Sequence, residues 1–153
     1  MEPLTPRDTD LLRLLQRDSR ISNADMAHAV GMSPSACWRR VRALEEAGVI
    51  EGYTIRINPA AAGLQFHAIV HVQLVRHDPD AVAAFIEAMR GRDEVRECFA
   101  TTGQADYHLR VLCRDVEAYN RFLEERLFPL TAVQSANTHM ILRDLKSETP
   151  VSL

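Results

Sequence analysis

From Leu4 to Val49 the apolar positions recur at the three-to-four-residue interval of helices, and beyond Ile50 stretches of two-residue alternation take over. Thr5-Pro6-Arg7-Asp8 reads as a helix start. Thr5 is a hydroxyl N-cap, Pro6 takes the first helical position, where no amide hydrogen is missed, and Asp8 stands three residues after the cap, ahead of the Leu11, Leu12, Leu15 stripe. Arg17-Asp18-Ser19-Arg20 interrupts this helix. Ser22-Asn23-Ala24-Asp25 repeats the cap pattern before Met26, Ala27 and Val30, and Gly31 supplies a left-handed stop. Ser33-Pro34 opens a third helix that runs through Val41 and Leu44 and ends at Gly48. Only Gly31-Met32 separates the second helix from the third, which is the short turn of a helix-turn-helix.

Ile50 to Ile57 is rich in β-formers around one glycine and predicts a small wing, and Asn58 to Gly63 reads as a linker or short connecting helix. Phe66 to Val75 then alternates as a strand, and Asp78-Pro79 opens a helix carrying Val82, Phe85, Ile86 and Met89. Val95 to Thr102 and Asp106 to Cys113 are strands flanking Gly103, Asp115 opens a helix with Val116, Tyr119, Phe122 and Leu123, and Val133 to Leu142 closes the set. This βαββαβ order is that of a ferredoxin-like split unit. The expected class is α+β: a winged helix-turn-helix over residues 1–60, with its helix-turn-helix at about 22–47, a linker over 61–65, a ferredoxin-like domain over 66–145 and a frayed tail over 146–153.

On the third helix Cys37, Val41 and Leu44 fall on one side and form its buried stripe, since each residue advances about 100° around the axis. Ser35, Arg39 and Arg42 lie opposite, with Trp38 and Arg40 on the flanks. Small residues at the helix start, Ser33, Ser35 and Ala36, let it enter a major groove, while arginine pairs bidentately with guanine or clamps phosphate. An arginine cluster on an isolated helix reads as a solvated face. On the second helix of a tight helix-turn-helix the same cluster reads as a DNA contact set, Ser33, Ser35, Ala36, Arg39, Arg40 and Arg42. Trp38 is expected to pack at the domain edge.

Net charge is −3, against the basic balance usual in nucleic-acid-binding domains, but it is unevenly placed. Residues 1–58 carry eight arginines and eight acids, so the deficit belongs wholly to the remainder. The longest apolar runs, such as Ala81 to Ile86, fall far short of the ~20 residues that span a membrane, and Met1-Glu2-Pro3 begins no signal peptide, so a cytoplasmic location and no membrane partner are expected. Cys37, Cys98 and Cys113 suit neither a disulfide framework nor a zinc site and read as buried free thiols. His67 and His71 lie on one strand face but more than about 10 Å apart, too far to share an ion, although His108 is able to join that face if the first and third strands are neighbours. No nucleophile elbow, phosphate loop or H-E-x-x-H is present, so no cofactor, metal or catalysis is expected.

Val30-Gly31-Met32-Ser33-Pro34, Arg40 to Ile50 and Gly52-Tyr53-Thr54 together resemble the Lrp/AsnC, or feast/famine, family of bacterial and archaeal regulators. The likeness continues in Thr102-Gly103-Gln104-Ala105-Asp106-Tyr107, which resembles the family's T-G-x-x-D hairpin, and in Tyr119 to Leu127. It implies a transcriptional regulator that binds double-stranded DNA, senses an amino acid or related metabolite, and pairs its sheets into a homodimer that assembles further, often to an octamer. An uncovered sheet face displaying Ile69, Val75 and Leu112 fits such pairing. The implied effector site is the hairpin, with Asp106 accepting from an ammonium group, Gly103 and its neighbours offering amide hydrogens, and Thr101, Thr102, Gln104 and Thr138 adding polar contacts. From the residues alone, glycine and aspartate here are ordinary turn chemistry and Asp106 caps the turn. Ala105 departs from the aromatic residue of many relatives and would leave room for a bulkier ligand. An alternative of a different class is a tetrapyrrole-decarboxylase-like enzyme on the same two-domain fold, for which only the histidines speak.

Overall fold

The computed structural model describes residues 3–75, 78–146 and 151–152. They form two compact units, one of residues 3–56 with 146 and 151–152 and one of residues 57–75 with 78–145.

The first unit holds helices α1 (Pro6–Arg17), α2 (Asn23–Ala29) and α3 (Pro34–Glu46). Each starts where a hydroxyl cap satisfies an otherwise orphaned amide: Thr5 accepts from Asp8 N at 3.3 Å, Ser22 from Asp25 N at 3.1 Å and Ser33 from Ala36 N at 3.3 Å. Asp8 returns the bond to Thr5 N at 2.8 Å, which completes a capping box. Leu11, Met26, Ala27 and Cys37 form the centre of this unit, with Leu15, Ile21 and Val41 packed around them. The turn between α2 and α3 is held by Met32 N donating to Ala27 O at 2.8 Å and by Asn23 Nδ2 donating to Pro34 O at 2.8 Å. Gly31 takes φ +63°, the left-handed conformation that stops α2 without a Cβ penalty.

Residues 51–57 join no strand ladder among the described residues, so the expected wing is an extended segment here. Ile55 and Ile57 are consequently 78% and 66% exposed. The expected frayed tail falls mostly outside the described residues. Its Val151 departs from that expectation, because it exchanges two hydrogen bonds with the Gln16 side chain of α1.

The second unit is a four-stranded antiparallel sheet of order β2-β3-β1-β4, from β1 (Phe66–Leu74), β2 (Val95–Ala100), β3 (Tyr107–Cys113) and β4 (Val133–Met140). Helices α4 (Pro79–Arg90) and α5 (Val116–Phe122) cover one face, and α5 continues into a π turn at Leu123–Leu127. The turn's wider i→i+5 bond, Phe128 N to Leu123 O at 2.8 Å, leaves Leu127 fully buried. Alternate residues of β1 (Ala68, Val70, Val72, Leu74) and β3 (Leu109, Val111, Cys113) meet Phe85 and Met89 of α4 and Tyr119 and Phe122 of α5. Burying each large side chain contributes about 1.5–3 kcal/mol. The intervening residues of β1 and β3 face the other way, where no helix among the described residues of this unit packs. No helix among the described residues is long and apolar enough to cross a membrane.

Candidate nucleic-acid interface and effector hairpin

Ser33, Ser35, Arg39 and Arg42 are exposed on α3, and Ala36 is half-buried. The buried side of the helix is that of Cys37 and Leu44, so the arginines stand out from the domain. Arg42 is tethered along its own helix to Glu45 at 3.2 Å and Glu46 at 3.7 Å, exposed pairs worth about 0–1 kcal/mol that a phosphate can displace. Glu45 also accepts from Tyr53 Oη at 3.0 Å, and burial, followed by this bond, raises the Tyr53 hydroxyl above its ordinary pKa.

Arg40 does something different from its neighbours. Its Nε and Nη2 donate to the two carboxylate oxygens of Asp8, which is completely buried, so this guanidinium is turned to α1 and ties it to α3. The Arg40 bonds, aided by Thr5 and opposed by burial, hold the Asp8 carboxyl far below the usual carboxylate range. The structure thus gives Arg40, one of the expected DNA contacts, a packing partner in Asp8 that fixes the helix carrying it. Trp38, expected to pack at the domain edge, is 58% exposed and lines a surface depression with Leu15, Ile21, Val41 and Tyr53. Its place on the flank of the helix was the only sequence signal that it stands beside the arginines.

In the second unit Thr101, Thr102, Gly103, Gln104 and Asp106 lie together on the β2–β3 connection, with Gly103 at φ +135°. The Asp106 carboxylate accepts from Leu74 N at 2.9 Å, its own N–H donates to Val72 O at 2.9 Å, and its carbonyl accepts from Thr101 N at 2.9 Å. Asp106 therefore stitches the hairpin to the end of β1. Gln104 O accepts from Gln73 Nε2 at 2.6 Å, and Thr101 Oγ1 donates to Ala105 O at 3.1 Å. Ala105 is 7% exposed, so its small side chain is buried in this unit. Thr138 is not brought to the hairpin: it pairs with Val70 in the middle of β1, and its hydroxyl is shared with Tyr119 Oη. Burial raises the Tyr119 hydroxyl's pKa, while the Thr138 bond lowers it.

The histidines gather where strand neighbours permit. His71 stacks on His108 at 4.2 Å between ring centroids and lies 4.4 Å from His139. His67 accepts from Arg110 Nε at 2.9 Å. Among the described residues no group of three His, Cys, Asp or Glu side chains is arranged to hold a metal ion. Cys37 and Cys113 are buried, as expected, but Cys98 is exposed because β2 lies at the sheet edge.

The Lrp/AsnC ligand binding domain matches residues 67–151, and the winged helix-turn-helix DNA-binding domain matches residues 4–51. The chain belongs to the Lrp/AsnC family. Leucine-responsive regulatory proteins of Escherichia coli and Klebsiella pneumoniae are 36% identical to it over 139 residues, 91% of this chain and 85% of theirs. A Neisseria meningitidis transcriptional regulator solved as its L-Met complex superposes with TM-score 0.93 at 32% identity, covering 98% of this chain and 97% of that one. An AsnC family regulator from Agrobacterium tumefaciens gives TM-score 0.89 at 29% identity, covering 96% and 97%. This Lrp/AsnC protein is accordingly a two-domain α+β transcriptional regulator with a DNA-binding helix-turn-helix. The tetrapyrrole-decarboxylase alternative draws no support from these relatives.

Proposed function

We propose that this regulator binds duplex DNA as a homodimer in the cytoplasm and responds to an amino acid, without catalytic activity of its own. The observation that carries the DNA reading is the division of labour on α3: Arg40 is tied to Asp8, while Arg39 and Arg42 are exposed on the side away from the buried stripe. Ser33, Ser35 and Ala36 line the helix start that enters the groove, Arg39 and Arg42 contact bases or phosphates, and the capped N-terminus offers amides to a phosphate. Two such helices read half-sites about one helical turn apart. Titrating the protein onto its own upstream DNA at two salt concentrations tests this. Affinity falls by orders of magnitude as salt rises, and unchanged binding by the Arg39→Ala, Arg42→Ala variant would refute the contact set.

Two uncovered surfaces support self-association. The extended segment 51–57 exposes Ile55 and Ile57, and the open sheet face carries Ile69, Leu112 and, 53% exposed, Phe99. Dimers then assemble further, with an octamer as the expected end point. The hairpin 101–106 lies where dimers meet and takes the effector. Its Asp106 receives the ammonium group, and amides around Gly103 receive the carboxylate. The L-Met complex of the Neisseria relative supports an amino acid as the ligand class. The functional boundaries are 1–60 for DNA binding, 61–65 for the linker and 66–145 for sensing and assembly. Thermal-shift screening of the twenty amino acids decides the effector, and no stabilisation at millimolar concentration would overturn it.

A further inference from the structure

The centre of the open sheet face is occupied by imidazoles. His71 sits on β1, between β3 and β4, with His108 and His139 reaching it from the two neighbouring strands at ring separations of 4.2 and 4.4 Å. The rings overlap, so their nitrogens do not converge as metal ligands would. Charge is the property that such a stack controls, because two protonated imidazoles at this separation repel.

Of the described residues, the titratable and charged groups on this face beside His71 come from each adjoining element. β3 contributes His108 and Arg110, β4 contributes His139, β2 contributes Glu97, the segment after β4 contributes Asp144, and β1 itself contributes His67. Arg110 engages both acids, Glu97 at 3.7 Å and Asp144 at 3.1 Å, and donates to His67 Nε2. A nitrogen that accepts carries no proton, so His67 is neutral in this arrangement. Burial first, then His108 and His139, push the His71 pKa below its ordinary value. Burial and Arg110 do the same for His67, against Asp144 and Glu97.

We infer that the open face of the sheet closes on a second copy of this chain only while His71, at the centre of the His71–His108–His139 cluster, is unprotonated, so that assembly of the regulator is under proton control. The inference rests on the dimer reading above. The occupant is a second copy because the face carries both signs, Arg110 beside Glu97 and Asp144, and is thus self-complementary across a two-fold axis. Four strands with a nine-residue centre also offer on the order of 500 Å² in projection, approaching the ~600–800 Å² per partner of a standard interface. Closing two such faces brings two histidine clusters out of water. The dimer therefore binds fewer protons than two monomers, and association weakens as pH falls through the range, below the ordinary histidine value, in which His71 of the single chain takes up its proton.

Sedimentation of the full chain, fluorescently detected from nanomolar to micromolar concentration at pH 7.5 and 5.5, tests this. The dimer Kd rises at least tenfold at pH 5.5 in the wild type and less than threefold in H71Q/H108Q/H139Q. A wild type equally dimeric at both pH values overturns the switch alone, as does a triple variant that keeps the full dependence. A chain monomeric at pH 7.5 overturns the dimer and the switch with it. Should the triple variant not fold, NMR titration of the wild-type imidazoles decides. A His71 pKa lower in the dimer than in the dilute monomer supports the inference, and equal values refute it.

Discussion

Arg40 of α3 grips both carboxylate oxygens of Asp8 in the first turn of α1, and Asp8 simultaneously closes the capping box with Thr5. One buried carboxylate thus starts the first helix and anchors the third. Arg39 and Arg42 on α3 face outward, so the arginine that packs is distinct from the two proposed to contact DNA.

The separation is measurable. Arg40→Ala leaves the Asp8 charge buried without its partner and lowers stability by about 3–5 kcal/mol in urea denaturation. Arg39→Ala and Arg42→Ala each change stability by less than about 0.5 kcal/mol but weaken DNA binding by about 1–3 kcal/mol.

The same pair makes acid resistance of the first unit depend on Asp8. Its carboxyl pKa is depressed in the folded chain, so the unfolded chain takes up the proton first. The stabilisation is complete above the unfolded value near 4 and drains away as pH falls below it toward the folded value. Asp8→Asn is less stable at pH 7 and loses about one proton from the slope of stability against pH below 4, as chemical denaturation at stepped pH will read.

Asp106 has a structural duty that complicates any ligand-binding test by alanine. Asp106→Ala strands the Leu74 amide and costs about 1–3 kcal/mol with or without effector. Asp106→Asn retains an oxygen acceptor but not the charge. Thermal denaturation should find it within about 1 kcal/mol of wild type, and calorimetry should find that it no longer binds the amino acid.

Tyr119 and Thr138 share one hydrogen bond between α5 and β4. Tyr119→Phe and Thr138→Val each destabilise by about 0.5–1.5 kcal/mol. The double variant costs less than their sum, because the second substitution removes a group already unpartnered. A strictly additive cycle in urea would contradict the shared bond.

What the sequence determined by itself is what neighbours along the chain decide. Thr5, Ser22 and Ser33 cap their helices with their own local amides, the Cys37–Leu44 side of α3 is buried because of helical periodicity, and the alternation from Phe66 puts Val70 and Val72 inside. The family motifs are also local runs, so the DNA-binding class and the sensing domain were legible in them. Only the tertiary structure decided how distant side chains are used. Arg40 lies on a flank of α3, a position equally suited to DNA or to packing, and it is the passage of α3 across the start of α1, 32 residues away, that commits it to Asp8. His108 was a foreseeable neighbour of His71, but His139 joins them only through the β1–β4 register, and Thr138 faces Tyr119 for the same reason. Periodicity sets which face a side chain takes; strand register and helix crossing set whom it meets there, and these arise from packing the whole domain at once.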